Sequence, residues 1–138
     1  MIGGDSVRLK GKIAKIDGDK FLVFGWASVA DEKGAAVVDS QGDTIPIDTL
    51  EKAAYEYVLH SRTGGEMHEV MGVAKLVESI VFTPEKLEML GLDKDALPHG
   101  WFVGFKVNDA EAWQKIKQGE YSMFSIGGRA IREAISNE

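Results

Sequence analysis

The chain has 138 residues, 44% of them hydrophobic, enough for one domain with a buried core and too few for two. Sixteen lysines and arginines against 22 aspartates and glutamates leave a net charge of -6, which argues against a protein that grips a phosphate backbone. The absence of cysteine removes disulfides, thiolate zinc sites and cysteine proteolysis, and no apolar stretch is long enough to span a bilayer. A soluble protein of a reducing cytoplasm is therefore expected, with neither nucleic acid nor membrane as partner.

In chain order, Val7 to Ile16 alternates loosely, Asp17-Gly18-Asp19 supplies a turn, and Phe21 to Val29 is rich in β-branched and aromatic residues, which predicts a hairpin. Asp31 to Asp43 reads as a long connection with a brief strand in the run Ala35 to Val38. Within it, Asp39-Ser40-Gln41-Gly42-Asp43 lacks the distant bidentate glutamate of a calcium loop and reads as a tight turn. Asp48-Thr49-Leu50-Glu51 has capping-box spacing and predicts a helix start. Leu50, Ala53, Ala54, Tyr57 and Val58 form that helix's apolar face, and Gly64-Gly65 its end. Extended character returns from Glu66 to Phe82, with His68 at its beginning and Gly72 as the expected bend or bulge.

Thr83-Pro84-Glu85 predicts a second helix, with Pro84 at its first position and Gly91 closing it. Pro98-His99-Gly100 predicts a turn, leaving His99 in solvent, into a strand that places Trp101, Val103, Phe105 and Val107 on one face. Asn108-Asp109-Ala110-Glu111 opens a third helix through Trp113 and Ile116 that stops at Gly119. The expected architecture is α+β, mainly β: one domain over residues 1–138, a closed or nearly closed β-barrel with about three helices packed outside.

The segment after Gly119 carries the candidate chemistry. Ser125 stands just before Gly127 and Gly128, residues without side chains, so a peptide could approach its hydroxyl and nearby backbone N–H groups could face a developing oxyanion. A serine nucleophile needs a base, and only His60, His68 and His99 exist. His60 falls near the C-terminal end of the first predicted helix, where the dipole favours an imidazolium for structural reasons. His68, which follows a glycine break and opens a strand, is the base candidate. A metal site fits poorly, because no second histidine follows His68 at helical spacing, and no glycine-rich phosphate loop is present, so no cofactor is expected.

Four segments taken together, Phe24-Gly25-Trp26-Ala27-Ser28-Val29, Asp39-Ser40-Gln41-Gly42-Asp43-Thr44-Ile45, Gly65-Glu66-Met67-His68-Glu69 with Gly72, and Phe124-Ser125-Ile126-Gly127-Gly128, resemble in order and spacing the phage prohead (capsid maturation) proteases. The resemblance is to the XkdF-like branch of phage serine proteases and runs from about Gly11 to Arg132. It implies a herpesvirus-assemblin-like barrel surrounded by helices. It also implies a His and Ser pair that cuts scaffold and major capsid proteins inside the prohead, in the cytoplasm of the bacterial host. The family's histidine falls on His68 and its nucleophile on Ser125 rather than Ser122. Related enzymes place a third, orienting residue downstream of the serine strand, where Glu133 is the acidic candidate before the terminal Glu138. Relatives commonly carry a further strand there, which this chain is expected to lack, and a homodimer is left open. Two other classes compete: a non-catalytic capsid-assembly or scaffold module that retains the fold, and a barrel that binds a small ligand in a deep apolar cavity.

Overall fold

The computed structural model describes residues 8–17, 20–38, 42–60, 74–119 and 123–127. The elements are β1 (Arg8–Asp17), β2 (Leu22–Glu32), β3 (Ala35–Ala36), α1 (Ile47–His60), β4 (Ala74–Phe82), α2 (Pro84–Met89), β5 (His99–Val107), α3 (Ala110–Lys117) and β6 (Met123–Gly127). The five longer strands make one antiparallel sheet in the order β4-β5-β2-β1-β6, and β3 adds to the end of β2. The α+β class and the β1–β2 hairpin are as expected. The barrel is not: among the described residues β4 and β6 are the two outer strands and nothing pairs one with the other, so the sheet is open.

Strict alternation in β5 decides which face is buried. Trp101, Val103, Phe105 and Val107 are all essentially inaccessible, and they share one core with Val23 and Ala27 of β2 and with Ala74 and Val81 of β4. Over this face α1 lays Leu50, Ala53, Ala54 and Tyr57, with the Tyr57 and Trp101 rings edge-to-face at 5.7 Å. The third helix adds Ala112, Trp113 and Ile116. Each fully buried large side chain contributes about 1.5–3 kcal/mol of transfer free energy, so this one layer of helices on sheet holds the domain together. On the sheet's opposite face Trp26 lies edge-on to Phe102 at 5.4 Å and against Phe82 at 5.7 Å, and all three are only partly buried.

Local chemistry sets the ends of two helices. The Thr83 hydroxyl accepts from the Lys86 N–H ahead of Pro84, and the Asp109 carboxylate accepts from the Glu111 N–H. Gly91 and Gly119 follow their helices at φ +82° and +78°, the left-handed conformation that ends a helix.

The first helix departs from expectation. The Leu50 N–H donates to the Pro46 carbonyl at 3.0 Å, so the helix begins at Ile47, two residues earlier, and Asp48 lies inside the first turn, where its charge suits the helix dipole, instead of at the cap. The described irregularity of β4 falls between Leu76 and Glu78, where exposed Val77 is the extra residue; Gly72, the expected bulge, lies outside the described residues. Phe21 holds φ at +60°, costly for a bulky residue, and its ring stacks on Trp113 at 5.0 Å in compensation.

Candidate active site

The candidate nucleophile sits on an outer strand. Ser125 is in β6, its backbone opposite Lys10 of β1, with Met123 opposite Lys12 and Gly127 opposite Arg8. Among the described residues β6 pairs only with β1, which leaves one row of its backbone groups for an extended peptide to use. His68, Ser122, Gly128 and Glu133 lie outside the described residues, and with them the His68 to Ser125 geometry. The chain that follows His68 enters β4 at Ala74, on the opposite side of the sheet from β6. Ser125 and Gly127 are thus the predicted site residues placed on one element.

The other two histidines are described in full. His60 is exposed at the end of α1, with Nε2 3.1 Å from Glu56, one turn earlier on the same helix. Its role is the structural one expected.

His99 overturns its expectation. It is buried, opening β5 as the cross-strand neighbour of Asp31 on β2. Its Nδ1 lies 2.5 Å from Asp31 Oδ1, its Nε2 lies 2.7 Å from the Lys94 carbonyl, and Asp95 Oδ1 is 3.7 Å from Nε2. Both ring nitrogens face oxygen acceptors, so both are satisfied only when both carry protons. Burial opposes the charged form, yet the Lys94 carbonyl, the Asp31 carboxylate and the Asp95 charge outweigh it and hold the His99 pKa above its ordinary 6.5. With both ring nitrogens engaged by Asp31 and the Lys94 carbonyl, His99 has no lone pair to offer a substrate; in this arrangement it ties the chain before β5 to the end of β2.

Beside this pair opens a cavity of about 550 Å³, walled by Ala36, Ile45, Pro46, Ile47 and Pro84. Asp31, His99 and Thr44 supply its polar lining. Sequence reasoning missed the Asp31–His99 pair. The signal was slight: His99 immediately precedes a strictly alternating strand, and a strand's first residue can be covered by its neighbour as readily as a turn residue is left in solvent.

Fold and site together define an antiparallel α+β domain that carries a serine two residues before a glycine on a strand at the edge of the described sheet. The chain belongs to the family described as "Putative phage serine protease XkdF", whose model matches residues 10–134. It is similar to "Uncharacterized protein YqbD" of Bacillus subtilis (strain 168), 31% identical over 119 residues. That alignment takes in 86% of this chain and 34% of the relative, so the chain spans about a third of the length of the curated protein it matches. No solved structure matches.

Proposed function

We propose that this domain is a serine endopeptidase that processes scaffold and major capsid proteins during phage head maturation, with Ser125 as nucleophile and His68 as general base. The observation that carries it is the family match over residues 10–134, which includes both residues. The serine's place on an edge strand of the described sheet supports the same assignment, because an extended peptide can dock along such an edge through backbone hydrogen bonds.

His68 accepts the Ser125 proton as Oγ attacks the scissile carbonyl carbon. The oxyanion so formed is held by backbone N–H groups around Gly127 and Gly128. Collapse breaks the C–N bond, and the departing amine takes the proton from His68. Water then attacks the acyl-enzyme carbonyl as His68 takes its proton, the C–Oγ bond breaks, and Oγ takes the proton from His68, releasing the acid and restoring Ser125. Glu133 is the candidate for orienting His68.

This chemistry requires His68, six residues before Ala74 in the chain, to reach Ser125 on the other outer strand, and curling of the sheet would bring the two edges together. Two features support closure into a barrel: the outer strands are unpaired among the described residues, and Trp26, Phe82 and Phe102 leave a half-covered aromatic layer that closure would bury. The setting that follows is the interior of a prohead in the host cytoplasm, with substrate proteins as partners.

A fluorophosphonate probe tests the assignment. It should label Ser125 in the wild-type protein, and Ser125→Ala should abolish both labelling and cleavage of co-expressed scaffold. Full cleavage by Ser125→Ala would overturn the serine mechanism, and a labelling-negative, cleavage-negative wild type that still associates with scaffold would favour the non-catalytic assembly module.

A further inference from the structure

The cavity at the end of β2 has no part in the serine mechanism, yet its construction suits one kind of occupant. The Val37 N–H donates to the Ala30 carbonyl at 3.0 Å, and Asp31 and Ala36 are cross-strand neighbours. Alternation along an antiparallel pair then turns the Ala36 N–H and C=O away from β2, toward the side of β3 that no strand pairs among the described residues. A peptide strand lying there would make two backbone hydrogen bonds to Ala36. The peptide residue opposite Ala36 would project its side chain on the face that Ala36 and Asp31 share. Because Ala36 is small, a long side chain can pass over it to Asp31.

Charge decides which long side chain. Asp31 uses Oδ1 on His99, and its Oδ2 has no partner among the described residues. Asp31 and His99 are the charged groups of the lining, with Asp95, Lys33 and Lys94 all outside it, so the Asp31 oxygen not engaged by His99 is the acceptor that a cationic head group would meet. The apolar walls from Ile45, Pro46 and Pro84 match an aliphatic stem. We propose that this cavity is a subsite for a lysine or arginine side chain of an extended substrate peptide that adds as a strand to the side of β3 away from β2.

The register sets the subsite and Ser125 at the same end of the sheet but on opposite faces, since Ser125 alternates with Met123 in the row of Trp26 whereas Asp31 pairs with His99, which alternates with Trp101. Trp26, Lys12 and Met123 share one row across β2, β1 and β6. Since β1 is antiparallel to both neighbours, β2 and β6 run in the same direction, and Asp31 and Ser125 both lie beyond that row toward the same end of the sheet. Two strand spacings and a few residues of offset separate them by on the order of 14 Å, about four residues of extended peptide. The inference rests on the serine mechanism only for calling the bound peptide a substrate.

The test is titration of isotope-labelled Ser125→Ala protein with blocked alanine-based peptides bearing one arginine, lysine, norleucine or glutamate, followed by NMR. Arginine and lysine peptides should shift the Ala36, Asp31 and Thr44 amides and bind about tenfold tighter than norleucine, the scale of one charge-assisted hydrogen bond. Thr44→Lys, at an exposed position on the cavity lining, should remove that preference and leave norleucine binding unchanged. Equal binding of all four peptides, shifts confined elsewhere, or no shift at millimolar peptide would overturn the subsite. Fluorophosphonate labelling of protein carrying Thr44→Lys with Ser125 intact separates the two proposals. A preference for arginine without Ser125 labelling in wild type leaves the subsite standing and sinks the serine mechanism, whereas labelling without the preference does the reverse.

Discussion

Replacing Asp31 with asparagine keeps an acceptor of nearly the same shape beside His99 and removes the charge. His99 is buried, with a side chain 7% exposed, while Asp31 is 26% exposed, so the pair is screened from one side only. A hydrogen bond to a charged group contributes about 1.5–3 kcal/mol, and partial exposure of the carboxylate brings the expected loss for Asp31→Asn to about 1–2 kcal/mol. The sign of the pH dependence follows from the raised pKa: the folded protein binds the His99 proton more tightly than the unfolded chain does. The stabilisation is therefore complete below the ordinary value of 6.5 and is lost as pH rises through the higher folded-state value. Urea unfolding of wild type and Asp31→Asn between about pH 5.5 and 9 should give curves that differ most at the acid end and converge at the alkaline end. A His99 ring resonance titrating at or below 6.5 in the wild type, or a stability difference independent of pH, would refute the imidazolium assignment.

Three further substitutions probe the scaffold that carries the site. In Gly100→Ala the new Cβ would collide with the Ser28 carbonyl oxygen and come within 2.8 Å of Val29 Cα; both are backbone, so β2 and β5 must separate, and urea unfolding should give a loss of about 3 kcal/mol or more. Leu50→Ala empties a fully buried position between α1 and the sheet and should cost about 2–5 kcal/mol by the same measurement, with a smaller loss if the helix settles onto the sheet. Thr83→Ala removes the acceptor for the Lys86 N–H and should lower stability by about 1 kcal/mol, whereas Thr83→Ser should restore most of it; equal losses from both would point to packing of the threonine methyl instead of capping.

Sequence specifies structure most directly where the signal and its consequence lie within one helical turn. Thr83 before Pro84, Asp109 before Ala110, and Gly91 and Gly119 after their helices are each a donor, acceptor or backbone preference that acts on residues at most three or four away. The alternation of Trp101, Val103, Phe105 and Val107 likewise declares a buried face before its cover is known. The start of α1 was harder, because the Pro46 carbonyl accepts the first helical hydrogen bond and no side chain advertises it. The candidacy of Ser125 rests on its neighbours and its family's motifs, since glycines and a serine in one segment need no tertiary contact to be noticed.

The sequence by itself therefore determined the strand and helix segments, the serine-bearing stretch and the family to which the chain belongs. Tertiary structure alone decided that β5 lies between β2 and β4, that β4 and β6 are the outer strands, and that Asp31 meets His99 across 68 residues of chain. The reason is the range of the forces involved. Capping and alternation act through bonds between near neighbours, whereas the choice of strand partner and the burial of a histidine depend on a register set jointly by every side chain in the shared core.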